Sequence, residues 1–129
     1  MLERKKILIV DQSTIFRRTL KEVIKAIESQ IDVREAKNAD QAKAILKKEP
    51  PDVVFLDIAL PRENGIEFIA SIKDMIPTSR IVVLTSHDSA EHEAASIQKG
   101  ADYFLSKERS GGLRLIDAIH TAICKDGSA

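Results

Sequence analysis

Short aliphatic runs alternate with amphipathic helical patterns five times along this chain, and this alternation limits the fold more than any other feature. Each run is four or five residues long and resembles a buried strand. We predict strands at residues 7–10, 32–36, 53–56, 80–84 and 102–105, of which 32–36 has the weakest pattern. Strands that alternate with helices favour a parallel sheet covered by helices on both faces. The predicted fold class is therefore α/β, a three-layer (βα)5 sandwich.

Five segments with apolar residues at three- and four-residue spacing predict the helices. They cover residues 14–29, about 38–49, 66–75 or 66–76, 89–99 and about 113–123. Ser13 or Thr14 is the expected N-cap of the first helix. Arg17 and Arg18, which lie between its apolar residues, are interpreted as part of a solvated face. The fourth helix has Ile97 as its main large apolar residue, so we expect it to be weakly anchored and able to shift.

The composition limits the classes of partner. The 129 residues fit one domain over residues 1–129, with 1–5 and 125–129 as short tails, the second of which fits either a natural end or a linker. Twenty basic and twenty acidic residues cancel, so general binding to nucleic acid or to an anionic membrane surface is not expected. No apolar run approaches the roughly 20 residues that span a bilayer, and the one cysteine, Cys124, has no internal disulfide partner. We therefore expect a cytoplasmic location.

Polar side chains follow four of the five predicted strands. Asp11, Asp57 and Thr85 each come directly after a strand, and Lys107 lies two residues past the last one. Any one of them alone would more often be only a strand terminator. Because right-handed crossovers bring the carboxyl ends of parallel strands to one edge of the sheet, we expect all four to lie together.

Together these residue types suit phosphoryl transfer. Two carboxylates make a hard-oxygen site for Mg2+, which keeps its remaining positions for water and phosphate oxygens. A lysine and a hydroxyl are natural partners of a phosphoryl group, and an aspartate can itself become an aspartyl-phosphate. The predicted site therefore contains every group that this chemistry needs.

Five separated motifs resemble those of the receiver domain of bacterial two-component response regulators, over nearly the whole chain. They are ILIVD ending at Asp11, VVFLD ending at Asp57, the following Pro61 and Gly65, VVLTS with Thr85, and GADYFLSK ending at Lys107. The resemblance implies a flavodoxin-like fold with the strand order 2-1-3-4-5. It also implies two-component phosphorelay signal transduction, with a histidine kinase or phosphotransfer protein as the phosphoryl donor.

The resemblance assigns roles to individual residues. Asp57 is implied as the phosphoacceptor, and Asp11, Asp57 and the backbone carbonyl of Ala59 as ligands of Mg2+. Lys107 would contact the phosphoryl group, and Thr85 would move toward it.

The same resemblance implies a switch. Thr85 and the aromatic Phe104 would report the state of the acceptor, while Tyr103 should point to the opposite side of its strand. The surface that changes would then bind a partner, form a homodimer or act on an output domain or downstream protein outside this chain. The implied catalysis is limited to phosphotransfer onto the chain itself and slow autodephosphorylation, so an enzyme in the wider sense is not expected.

Two positions depart from the family pattern. Gln12 stands where a second acid usually binds the metal, which makes it a doubtful ligand and predicts weaker Mg2+ affinity. This leaves open an alternative, a pseudo-receiver that acts as a protein-interaction domain without phosphorylation. Glu108 follows the lysine where proline is common, so we expect a trans peptide bond between Lys107 and Glu108, since a non-proline cis bond costs about 2.5–4 kcal/mol.

Other site classes fit less well. A phosphatase of the haloacid-dehalogenase type has two aspartates two residues apart after the first strand, and Ser13 stands at the second of these positions. A flavin mononucleotide binder would need a better phosphate-cradling loop than residues 12–14. His87 and His92 are five residues apart, which does not place two zinc ligands on one helical face.

Overall fold

Five strands and five helices alternate in the computed structural model, which describes residues 5–109 and 112–124. The strands are β1 (Lys6–Val10), β2 (Asp32–Ala36), β3 (Val53–Leu56), β4 (Arg80–Thr85) and β5 (Tyr103–Ser106). The helices are α1 (Thr14–Ile27), α2 (Ala39–Lys48), α3 (Gly65–Met75), α4 (Ala90–Lys99) and α5 (Gly112–Cys124). The predicted alternation is confirmed. Residues 1–4 and 125–129, most of the two predicted tails, lie outside the described residues.

The sheet is parallel throughout and has the order β2-β1-β3-β4-β5, which confirms the predicted flavodoxin-like topology. Its register decides which residues meet at the carboxyl edge. Val10 is paired with Leu56, so the residues that follow them, Asp11 and Asp57, leave neighbouring strands at the same level. Thr85 is paired with Ser106, so Lys107 begins the loop directly beside the end of β4.

Side chains alternate between two buried clusters, one on each face of the sheet. On β1, Leu8 and Val10 pack on the face covered by α2 and α3, whereas Ile7 and Ile9 pack on the face covered by α1 and α5. A strand with both faces buried needs apolar residues at every position, which explains the continuous aliphatic runs. No helix in residues 5–109 and 112–124 has the length and apolar character required to cross a bilayer.

Helix α4 is the helix least anchored to the core among those described. Ser96 is its one buried residue, and Ile97 is 46% exposed. The predicted weak anchoring is therefore confirmed. The helix begins after the N-cap Ser89 and ends at Lys99, and its C-cap is Gly100, whose φ of 120° lies in a region that glycine tolerates well.

The prediction for Arg17 was wrong. This arginine is 9% exposed, while its neighbour Arg18 is exposed as predicted. Periodicity assigns a polar residue to solvent, but the guanidinium of Arg17 has acceptors on three residues of the chain, Asp11, Thr14 and Glu35. Burial of an arginine becomes tolerable when its donors are satisfied in this way.

Element boundaries differ from the prediction by one or two residues. Helix α1 ends at Ile27 because Glu28 already has an extended backbone. Strand β5 begins and ends one residue later than predicted, and Thr85 is the last residue of β4 rather than the first residue after it. Helix α3 ends at Met75, two residues before Pro77, since proline disfavours a helical conformation in the residue that precedes it.

Candidate functional site

Asp57 lies at the centre of a cluster of polar groups at the carboxyl edge of the sheet. It follows β3, is 6% exposed, and its backbone N–H donates to the carbonyl of Val10 at 2.9 Å. Its Oδ1 accepts the N–H of Ala59 at 2.9 Å and the hydroxyl of Thr85 at 2.7 Å. Its Oδ2 accepts from Lys107 Nζ at 2.9 Å. Both oxygens of this buried carboxylate are therefore held in a fixed orientation.

Asp11 is the second carboxylate of the cluster. It follows β1, is 2% exposed, and its N–H donates to the carbonyl of Ala36 at 3.0 Å. Its Oδ1 accepts the N–H of Ser13 at 2.8 Å, and its Oδ2 lies 2.6 Å from Lys107 Nζ. Since Ser13 also caps α1, the start of that helix and the orientation of Asp11 are fixed by the same short loop.

Lys107 joins the two carboxylates. Its ammonium group touches Oδ2 of both Asp11 and Asp57 and lies 4.1 Å from the centre of the Phe16 ring, a cation–π contact. Burial on its own lowers the pKa of Lys107, but the hydrogen bonds and negative charges of Asp11 and Asp57 outweigh burial and hold this pKa above its usual value. The lysine is therefore a permanent cation at neutral pH.

Thr85 and Phe104 lie on adjacent strands. Thr85 is hydrogen-bonded to a carboxylate of the site, whereas Phe104 packs in an apolar cluster. Thr85 is completely buried, donates to Asp57, and its Oγ1 accepts the N–H of His87 at 3.1 Å. Phe104 is half-buried and packs against the cluster beneath α2 and α3, while Tyr103 packs on the opposite face, as predicted. The sequence thus correctly predicted that Asp11, Asp57, Thr85 and Lys107 meet.

Whether a metal ion can bind beside Asp57 depends on the oxygen atoms that surround Gln12. The side-chain Nε2 of Gln12 lies 3.4 Å from the carbonyl oxygen of Ala59, a long contact in which the amide donates. Across residues 5–109 and 112–124, no group of three or more His, Cys, Asp or Glu side chains is arranged to hold a metal. An ion here would depend on Asp11, Asp57 and the carbonyl of Ala59, an all-oxygen set that suits Mg2+ because this ion retains several waters.

A second hydrogen-bonded group ties the loop after β4 to the loop after β5. The Ser106 hydroxyl donates to Asp88 Oδ2 at 2.6 Å, and Arg109 donates to the same oxygen at 3.2 Å and to the Asp88 carbonyl at 2.6 Å. The bond from Ser106 and the charge of Arg109 hold the pKa of Asp88 below its usual value. The peptide bond from Lys107 to Glu108 within this region is trans, as predicted.

Sequence reasoning missed two residues that contact the site. Phe16 was predicted to lie on the apolar face of α1. Its contact with Lys107 could not be predicted from residue spacing, because the two residues are far apart in the sequence. Arg17 was assigned to solvent, although its guanidinium donates to the backbone carbonyl of Asp11. Glu35 on β2 was a possible ion-pair partner for Arg17, but the sequence does not show that these two residues lie close together.

Comparison with known proteins identifies the family to which this arrangement belongs. The family model of the response regulator receiver domain matches residues 7–120. The chemotaxis protein CheY of Halobacterium salinarum is 32% identical over 104 residues, which cover 80% of this chain and 84% of that protein. A protein-glutamate methylesterase/protein-glutamine glutaminase of Agrobacterium fabrum is 36% identical over 110 residues, which cover 84% of this chain and 31% of that protein.

A solved structure supports the same assignment. The crystal structure of a response regulator protein from Burkholderia pseudomallei, with a phosphorylated aspartic acid, calcium ion and citrate, is 27% identical and has a TM-score of 0.80. The match covers 96% of this chain and 69% of that one. The chain spans about a third to a half of the length of several curated relatives that it matches. Because the family model matches residues 7–120, most of the sequence, this chain belongs to the response regulator receiver domain family.

Proposed function

We propose that this chain accepts a phosphoryl group on Asp57 in two-component phosphorelay signalling. The observation that carries the proposal is the set of donors around this buried carboxylate: a hydroxyl from Thr85, an ammonium from Lys107 and a backbone N–H from Ala59. The Burkholderia pseudomallei response regulator, which carries a phosphorylated aspartic acid, adds support. The whole of residues 1–129 is proposed to act as one receiver domain.

The proposed reaction is a displacement at phosphorus. A carboxylate oxygen of Asp57 attacks the phosphorus of a phosphohistidine, an oxygen–phosphorus bond forms, and the nitrogen–phosphorus bond breaks with its electron pair leaving on the imidazole. Lys107 offsets the charge on the transferred group, since its ammonium already lies 2.9 Å from Asp57. The Thr85 hydroxyl, now donating to Asp57, can donate to a phosphoryl oxygen instead.

Mg2+ is the proposed cofactor. Asp11, Asp57 and the carbonyl of Ala59 would hold it, and when bound it would neutralise charge on the phosphoryl oxygens. The calcium ion in the Burkholderia pseudomallei structure supports a divalent ion in this family. Gln12 is not proposed as a strong ligand, because its amide nitrogen rather than its oxygen is directed at Ala59.

Phosphorylation is proposed to change the surface formed by α4 and β5. A phosphoryl group adds roughly −1.5 to −2 charge and new acceptor oxygens, which would draw in Thr85 and Lys107. Thr85 is linked to Asp57 and to the N–H of His87, so its movement would reach the loop before α4. Helix α4 has one buried residue, so its repacking would cost little, and Phe104 on β5 would follow.

The proposed phosphoryl donor is a histidine kinase or phosphotransfer protein that docks beside α1. Ile15, in the first turn of this helix, is 80% exposed, and Arg18 and Thr19 lie on the same exposed face. An apolar residue with polar neighbours beside the site is the combination that protein interfaces use. Downstream, the altered surface would act on a second copy of the chain, on an output domain or on a separate protein. A cytoplasmic location stays a prediction.

Intact-mass spectrometry after incubation with acetyl phosphate and Mg2+ tests the proposal. We expect a gain of about 80 Da, one phosphoryl group, in the wild type and no gain in Asp57→Ala. Asp52→Ala is the matched control. It removes an acid at the amino end of β3, opposite the carboxyl edge that carries the site, and should gain the same mass. The only catalysis proposed is this uptake and a slow loss of the group to water.

Two results would contradict the proposal. Uptake that persists in Asp57→Ala would place the acceptor elsewhere. No uptake in the wild type together with uptake in Gln12→Asp would mean that the metal site is too weak, and the pseudo-receiver alternative would then be preferred.

A further inference from the structure

The buried arginine Arg17 makes contacts that no surface arginine of a helix needs. Its Nη1 donates to the backbone carbonyl of Asp11 at 2.5 Å, and its Nη2 donates to the hydroxyl of Thr14 at 3.2 Å. Its Nε donates to Glu35 Oε1 on β2 at 3.0 Å. An arginine that is 9% exposed costs free energy unless its donors are used, and here each nitrogen has an acceptor.

These contacts fix the backbone from which the carboxylate of Asp11 projects. The carbonyl of Asp11 is held by Arg17, and its Oδ1 is held by the N–H of Ser13 at 2.8 Å. Since both bonds act on one residue, they determine where Oδ2 points. That oxygen contacts the ammonium of Lys107 at 2.6 Å, so a divalent ion bound there would share it with the lysine or displace the lysine.

We propose that Arg17 is a positioning residue that orients Asp11 for divalent-ion binding, which rests on the proposed function. The guanidinium reaches three acceptors in different directions with a rigid planar group, and a lysine could not reach all three. Glu35 neutralises the charge of Arg17, and Lys21 lies 3.9 Å from the other oxygen of that acid. Arg17 can therefore hold Asp11 without presenting an unpaired positive charge beside the metal ligands.

The test compares Mg2+ affinity, measured by isothermal titration, among matched variants. Arg17→Met removes the three bonds while keeping a long side chain, and Arg17→Lys keeps only the charge. Arg18→Met is the surface control, because Arg18 is the exposed neighbour on the same helix. Ile24→Val is the stability control, because Ile24 is buried in α1 away from these contacts.

We expect Arg17→Met and Arg17→Lys to weaken Mg2+ binding about tenfold, the lower end of the loss for removing a group that orients a metal ligand. Arg18→Met and Ile24→Val should bind as the wild type does. A second readout does not need the metal: hydrogen exchange of the Ser13 N–H should be faster in both Arg17 variants than in Ile24→Val, because the bond from Ser13 to Asp11 loses its support.

A folded Arg17→Met that binds Mg2+ within twofold of the wild type would overturn the proposal. If Arg17→Met does not fold, Arg17→Lys takes its place, and unchanged affinity with unchanged Ser13 exchange in that variant would overturn the proposal. If the wild type takes up no phosphoryl group, the proposed function fails, but affinity and exchange still decide the role of Arg17. If the wild type binds no Mg2+, the proposal is overturned, whatever the Ser13 exchange shows.

Discussion

The ammonium group of Lys107 lies 2.6 Å from Oδ2 of Asp11, and this contact ties the end of β1 to the loop after β5 across the carboxyl edge of the sheet. Strands β3 and β4 lie between them. The lysine also reaches Asp57 at 2.9 Å, so one positive charge lies between two buried carboxylates and reduces their mutual repulsion. Lys107 is therefore both a structural cation and, by our proposal, a partner of the phosphoryl group.

Replacing this lysine should separate these two roles. Lys107→Met leaves two buried carboxylates side by side. We expect the free energy of unfolding without Mg2+ to fall by about 1–3 kcal/mol. This loss is smaller than for a fully buried ion pair, because the Lys107 side chain is 16% exposed. Mg2+ should bind the variant more tightly, since the competing cation is gone, while phosphoryl uptake slows. Urea denaturation with and without Mg2+ measures the first two effects.

Lys99→Met is the control for this comparison, because Lys99 pairs with Glu67 on the surface, where an ion pair contributes about 0–1 kcal/mol. Weaker Mg2+ binding in Lys107→Met than in the wild type would show that the lysine supports the metal site rather than competing with the ion.

Gln12 is the position at which a single charge should restore metal affinity. Gln12→Asp adds a carboxylate next to Asp11 and removes the amide contact to the Ala59 carbonyl, which then becomes free to bind the ion. We expect Mg2+ affinity to rise about tenfold, or roughly 1.4 kcal/mol, by isothermal titration. Gln30→Asp, an exposed change of the same kind in the loop before β2, should leave affinity as it is. Equal affinities in Gln12→Asp and the wild type would refute the prediction.

The sequence was sufficient for the features that depend on neighbouring residues. Aliphatic runs and helical spacing predicted the strands and helices, and strand ends predicted Asp11, Asp57 and Thr85, because a parallel sheet gathers them without further information. Periodicity alone does not determine the order of strands, which came from the resemblance to a family. The contacts of Arg17 and Phe16 could not be predicted, since they join elements whose packing follows from the whole fold.

Gly65 is the glycine that the site loop requires. A Cβ added to it would lie 2.1 Å from the carbonyl oxygen and 2.4 Å from the Cα of Ile58, the residue after Asp57, and backbone atoms cannot move aside cheaply. We expect Gly65→Ala to lower the free energy of unfolding by about 2–3 kcal/mol and to slow uptake from acetyl phosphate, because the loop that carries Asp57 must shift. Thermal denaturation and intact-mass kinetics measure the two effects.

Gly100→Ala separates a loss of stability from damage to the site. This substitution lowers the free energy of unfolding because Gly100 has a positive φ of 120° at the end of α4. The added Cβ meets only the flexible side chain of Lys73, at 2.8 Å. We expect a loss of about 1–2 kcal/mol with normal uptake. Equal uptake rates in the two alanine variants would mean that the contact with Ile58 does not position Asp57.

Ser96 is the one buried residue of α4 among the described residues, and its hydroxyl has no hydrogen-bond partner among them. A buried hydroxyl without a partner costs about 1–3 kcal/mol, and alanine also favours helix, so Ser96→Ala should raise the free energy of unfolding by about 1 kcal/mol in urea denaturation. Ser71→Ala, an exposed change in α3, should have a smaller effect. Amide exchange should also slow along α4, because its one buried contact becomes fully apolar. A less stable Ser96→Ala would show instead that the hydroxyl has a hydrogen-bond partner.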